Sequence, residues 1–141
     1  MFSKTCEYAL KIMIYLCSVK TNKKRAGLKD IAEAIASPEA FTAKILQQLV
    51  RSKLLHSLRG PTGGFELRKD PITLLEVVAA IDGDGVIKHC VLGLEKCSDS
   101  HPCPVHETFV KVRNQLAKVL ASTFLSDINA GVIKGNSYLK L

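Results

Sequence analysis

The sequence predicts a mainly α-helical fold with one small β-hairpin and a long C-terminal helix, on three observations. Apolar residues recur at offsets of three and four in separate segments of the first half, as one face of a helix requires. A Gly63-Gly64 pair stands between two short runs rich in Leu and Phe, where a hairpin loop needs its glycines. A seam of apolar residues at 4-3-4-3-4 spacing runs through the last third. With 141 residues, 47% of them hydrophobic, the chain is long and apolar enough for one domain with a core and unlike a disordered one. Its 9 Gly and 5 Pro are too few for a fibrous or linker-like chain.

Residues 5–19 place Ala9, Ile12, Met13 and Leu16 on one helix face. Cys6 and Cys17, eleven residues apart and so near that face, read as small buried hydrophobes. Residues 21–25, Thr-Asn-Lys-Lys-Arg, break the period and read as an exposed loop. Leu28, Ile31, Ala32 and Ile35 form a second, short helix that stops near Ala36. Ser37 is the expected cap of a third helix, with Pro38 in its first turn and Glu39 suited to the positive end of its dipole. There Phe41, Ile45, Leu49 and Val50 are expected to face inward, leaving Thr42, Lys44, Gln47, Gln48 and Arg51 to solvent. Two short helices joined tightly, with small Ala32 where they approach, make a helix-turn-helix.

Strand-like runs at residues 54–58 and 65–67 flank the loop Arg59-Gly60-Pro61-Thr62-Gly63-Gly64. A hairpin directly after a helix-turn-helix, with Arg59 at its tip, is a wing. Pro71 opens a helix over residues 72–81, ended by Asp82-Gly83-Asp84-Gly85. Residues 86–103 hold no period and read as a long loop. Pro104 begins the last helix, whose seam is Val105, Phe109, Val112, Leu116, Val119 and Thr123; at the end of a small DNA-binding module such a seam reads as a dimer interface. The expected organisation is therefore a winged helix-turn-helix domain at 1–82, a cysteine-containing sensor loop at 83–103, a dimerisation helix at 104–128 and a tail at 129–141.

The net charge of +7 lies wholly in the first half: residues 1–70 hold 13 Lys+Arg and 6 Asp+Glu, residues 71–141 hold 7 of each. Such asymmetry points to a polyanion-binding surface, nucleic acid or an anionic membrane. The most apolar stretch, residues 9–19, is interrupted by Lys11 and falls short of the roughly 20 residues a membrane-spanning helix needs, so no membrane insertion is expected. Five cysteines, an odd number with three crowded together, suit a reduced cytoplasm better than a disulfide framework. With no phosphate-binding glycine loop, nucleophile elbow or paired carboxylates, the chain reads as a binder rather than an enzyme. Duplex DNA is the expected partner, with RNA binding or a structural adaptor role as the alternatives.

The chemically sharpest segment runs from Cys90 through Cys97 and Cys103 to His106, its thiols seven and six residues apart. Soft thiolates that converge in a loop select zinc, copper(I) or an iron–sulfur cluster. His89, His101 and His106, and Glu7 from the first helix, are candidates for a further ligand. His106 follows Cys103 by three across a helix start, so both side chains can point one way. Three cysteines and one histidine also make a structural zinc site, and two of the thiols could form a redox disulfide.

Tyr8-Ala9-Leu10, the hairpin Leu58-Arg59-Gly60-Pro61-Thr62-Gly63-Gly64-Phe65-Glu66-Leu67, Pro71-Ile72-Thr73-Leu74 and Val77-Val78-Ala79-Ala80-Ile81-Asp82-Gly83 together resemble the Rrf2 family of bacterial transcription regulators, over about residues 2–125. The resemblance implies a homodimer that binds partly palindromic operators. It also implies, as in many members, an iron–sulfur cluster on three cysteines before the dimerisation helix, sensing iron–sulfur status, nitric oxide or redox change. The 2Fe-2S subgroup uses a histidine just after the third cysteine, which makes Cys90, Cys97, Cys103 and His106 the expected ligands. Glu7, where some relatives place a carboxylate from the partner subunit, is the alternative fourth. Six residues separate Cys90 from Cys97, against five in the best-known cluster binders.

A recognition helix presents its N-terminal residues to base edges while the wing and nearby loops hold the backbone. Pro38, Thr42, Lys44, Gln47 and Gln48 are the expected readers, with Ala40 and Ala43 limited to apolar contact. Arg59, with Thr62 and Gly63 beside it in the wing, is expected to reach a minor groove. Lys4, Lys23, Lys24, Arg25 and Lys29 are assigned to phosphates.

Overall fold

The computed structural model describes every residue except Thr21, Lys23, Lys24 and Lys69. Helix α1 (Lys4–Val19) is the spine of the core, with Cys6, Ala9, Ile12, Met13, Leu16 and Cys17 buried along one stripe. Ser3 caps it by accepting the Cys6 amide on its hydroxyl at 3.1 Å. Burial, assisted by the nearby Asp82 carboxylate, pushes the Cys6 thiol up to about 12. Burial likewise raises Cys17, so both thiols are inert core residues, as their spacing suggested.

Helix α2 (Leu28–Ala34) turns through Ala36, at φ 52°, into α3 (Glu39–Arg51). Ile31 and Ile35 from α2 and Ile45, Leu46 and Leu49 from α3 pack into the same core as α1. The cap of α3 is Pro38 rather than Ser37: the Pro38 carbonyl already accepts the Thr42 amide at 2.9 Å, which moves the helix start one residue on. The Ser37 hydroxyl is buried and has no hydrogen-bond partner among the described residues.

Strands β1 (Leu55–Leu58) and β2 (Gly64–Leu67) pair antiparallel, Leu55 opposite Leu67 and Leu58 opposite Gly64. Ala26 adds a short third edge, its amide donating to Phe65 O at 3.1 Å and its carbonyl accepting from the Phe65 amide at 2.8 Å. The close approach requires glycine, because a Cβ at Gly64 would stand 2.6 Å from Ala26 O and the residue sits at φ 132°.

Helix α4 (Leu74–Asp82) starts at a capping box rather than at Pro71: the Thr73 hydroxyl accepts the Glu76 amide at 3.2 Å and Glu76 Oε2 accepts the Thr73 amide at 2.8 Å. At its other end Asp82 accepts both the amide and the hydroxyl of Ser3. A single turn, α5 (Gly85–Lys88), lies inside the stretch expected to be all loop.

The helix expected over residues 104–128 is two. Helix α6 (His106–Ser122) ends where Thr123 becomes extended, because Thr123 O accepts the Leu74 amide at 3.0 Å and the Leu125 amide donates to Ile72 O at 2.9 Å. Helix α7 (Leu125–Ile133) then folds back onto α1. Leu125 and Asn129 are buried there, and Asn129 Nδ2 donates to Cys17 O at 3.1 Å. Part of the expected tail therefore belongs to the N-terminal core. Along α6, Leu120 is buried against Cys6 and Val78, and Leu116 is half-buried beside them. Val112 and Val119, 56% and 46% exposed, are left facing outward from the expected seam. Among the described residues no helix is long and apolar enough to cross a membrane.

Candidate nucleic-acid interface and metal centre

Helix α3 buries Thr42, Ile45, Leu46 and Leu49, a stripe at the 3-1-3 spacing of one helix face. The expected inward set lacked Leu46, so the true face is rotated toward it and takes Thr42 inside. Thr42 is fully buried, its hydroxyl donating to Pro38 O at 2.9 Å, and so is not free to read a base. This corrects its place among the readers. Gln48 is half-buried and its Nε2 reaches Ala80 O of α4 at 3.4 Å, which also turns it from solvent. Ala43 is half-buried, whereas Pro38, Ala40, Lys44 and Gln47 are exposed. Phe41 packs edge-on against Tyr8 of α1, ring centroids 5.4 Å apart, which fixes the exposed face relative to the core.

On the wing Arg59 and Thr62 are exposed and Gly63 is half-buried. A Cβ at Gly63 would stand 2.3 Å from Leu58 O, so only glycine lets this tight turn close. Lys29 is exposed on α2. Lys4 pairs with Glu7 at 3.0 Å, and that hydrogen bond raises its pKa. Arg25, expected on a phosphate, instead pairs through Nε with Glu66 Oε2 at 3.3 Å. Lys23 and Lys24 lie outside the described residues.

In the cysteine-containing loop Cys97 Sγ lies 3.4 Å from His106 Nδ1, and His106 Nε2 is 2.7 Å from Asp99 Oδ1. His106 is 8% exposed at the first turn of α6. The amides of Leu92 and Leu94 hydrogen-bond the Cys90 sulfur and, with the Cys103 side chain and the Arg113 charge, hold its thiol below the usual range. Of the four expected ligands, Cys97 and His106 are in direct contact, while the Cys103 side chain helps lower the Cys90 thiol. Among the described residues no three His, Cys, Asp or Glu side chains are gathered to hold one metal ion. Glu7, the alternative, is exposed on α1 and held by Lys4. His101 lies on the loop surface, 3.2 Å from the Ser100 hydroxyl.

Two residues at this site were not singled out from sequence. Arg113 Nη2 donates to Cys97 Sγ at 2.8 Å and its Nη1 donates to the carbonyls of Lys88 and His89, joining α5, the loop and α6. It stands seven residues after His106, two helical turns along one face, which was the available signal. Asp99 lies in an aperiodic loop and gave none.

The profile of the Rrf2 family, described as iron-dependent transcriptional regulator, matches residues 2–131. The chain belongs to the Rrf2 family. It is 30% identical over 132 residues to an HTH-type transcriptional regulator of Aquifex aeolicus, covering 90% of each chain. It is 27% identical over 128 residues to the HTH-type transcriptional regulator NsrR of Oceanobacillus iheyensis, covering 89% of this chain and 86% of that one. The structure of CymR, the global cysteine regulator of Bacillus subtilis, superposes with a TM-score of 0.78 at 28% identity, covering 92% of this chain and 96% of that one. The winged-helix fold of Rrf2 regulators is thus the fold of this chain, and transcriptional regulators of this family bind DNA.

Proposed function

We propose that this protein is a homodimeric, cytoplasmic regulator that reads duplex DNA with α3 and the wing, and whose operator affinity is set by an iron–sulfur cluster on Cys90, Cys97, Cys103 and His106. The observation that carries it is the Cys97–His106 pair, 3.4 Å apart at the start of α6, with Cys90 and Cys103 in the same loop. Three thiols and one imidazole suit a 2Fe-2S centre in donor type, and engagement of His106 Nε2 by Asp99 leaves Nδ1 toward Cys97. When bound, the cluster supplies one-electron redox chemistry and sensitivity to iron supply and nitric oxide.

The chain's own residues supply the coupling. Arg113 and His106 tie the loop to α6, whose outward Val112 and Val119 offer the seam to a second copy. Loop order then sets the separation of two α3 helices, which must meet half-sites roughly 34 to 36 Å apart. A change in that order alters operator affinity by about 1 to 3 kcal/mol, the usual size of an allosteric coupling.

Anaerobic purification with absorption spectra and iron and sulfide assays tests the cluster; visible bands with about two irons per chain are expected. A colourless chain holding zinc in the same side chains would replace the cluster with a structural metal. Equal operator affinity with and without the cluster would refute the coupling. The likeness to a global cysteine regulator supports a second reading, a cluster-free regulator whose loop thiols form a redox switch. Absence of iron, with reversible loss of two thiols on oxidation, would select it.

A further inference from the structure

Arg25 was expected to contact a phosphate, and its surroundings give it other work. Its Nε lies 3.3 Å from Glu66 Oε2 of β2, an ion pair without hydrogen-bond alignment, and its Nη1 donates to Thr62 O at 3.3 Å, in the turn that carries the wing tip. The two side chains of the ion pair are only 26% and 13% exposed. The next residue, Ala26, is paired on both backbone groups with Phe65. One side chain thus spans the strand and the turn of the wing while its own backbone is fastened to the wing's edge.

We propose that Arg25 is a positioning residue for DNA reading: it braces the wing at the angle that presents Arg59 and Thr62 to the duplex, and does not itself touch DNA. The inference rests on the DNA-reading proposal above. A guanidinium can hold a carboxylate and a carbonyl at once because its donors form a rigid fork, and an ammonium on a flexible stem cannot hold both in one geometry. With Glu66 as counter-ion, Arg25 adds little net charge to the surface a phosphate would meet.

The test uses the full chain and the duplex that the wild-type chain enriches from a randomised pool. Arg25→Lys and Arg25→Gln are compared with wild type at equal folded fraction from thermal melts. Both variants are expected to lose at least about fivefold in affinity, the lower range for loss of one base-edge contact. The two variants should share one slope of log K against log salt, because disengaging the wing costs both the same Arg59 contact and residue 25 adds none of its own. Hydroxyl-radical protection should disappear under the wing and persist under α3. Wild-type affinity in Arg25→Lys would overturn the proposal, since charge alone would then suffice. So would a slope in Arg25→Gln shallower than that of Arg25→Lys by about 2 per dimer, the mark of two phosphate contacts made by residue 25 itself. Unchanged protection under the wing would overturn it too. A wild-type chain that enriches no duplex overturns the DNA-reading proposal itself, before any variant is made.

Discussion

Gly64→Ala should detach the wing from the body of the domain. The substitution meets two costs that the structure lets one add. An L-residue at φ 132° sits in backbone space nearly reserved for glycine, at about 1 to 3 kcal/mol. The new methyl would lie 2.6 Å from Ala26 O and 2.9 Å from its carbonyl carbon, so backbone must move. Movement there breaks the two Ala26–Phe65 hydrogen bonds, each worth about 0.5 to 1.5 kcal/mol net. The sum is about 2 to 6 kcal/mol if the wing stays docked. Undocking caps the global loss at the free energy that docking contributes. Urea unfolding should therefore show a lower midpoint at unchanged m, and hydrogen exchange at the Phe65 amide should accelerate more than at core amides of α1. A midpoint and a Phe65 exchange rate both equal to wild type would refute the close-approach argument.

Thr42→Val keeps the shape of a buried side chain whose hydroxyl shares the Pro38 carbonyl with the Thr42 amide, so stability should fall by at most about 1 kcal/mol, with base preference unchanged. A shift in the selected operator sequence would return Thr42 to the readers. Thr73→Ala removes one half of the α4 capping box and should cost about 1 kcal/mol in a denaturant melt. Asn129→Ala deletes the buried donor to Cys17 O, leaving that carbonyl to seek water, and should cost about 1 to 3 kcal/mol. It should also speed alkylation of Cys17, because the loosened α7 no longer covers it.

The helix-turn-helix, the hairpin and the three-cysteine loop were legible because each has a local signal: a helical period, paired glycines, crowded thiols. What the sequence misplaced depends on partners far along the chain. Thr42 looks like a surface residue until α3 is docked with Leu46 inward, a rotation that two apolar positions on neighbouring faces leave undecided. The break at Thr123 comes from hydrogen bonds to Ile72 and Leu74, some fifty residues earlier, and no local residue announces it. Arg25 was legible only as a cation; its carboxylate partner stands 41 positions on. At the cysteine loop the residue types were readable, whereas the Cys97–His106 contact is held by Arg113 and Asp99, which the cysteine spacing does not announce.

The fastening of α7 to α1 matters during synthesis. Asn129 reaches Cys17 across 112 positions, so α1 leaves the ribosome well before the helix that covers it. At about 5 to 20 residues per second, the 112 positions between them take roughly 6 to 22 s to make. For most of that time the Cys17 side of α1 is uncovered, and the nascent helix-turn-helix has no finished base to stand on. Chains released before α7 is made should therefore be poor competitors for operators and ready substrates for proteases.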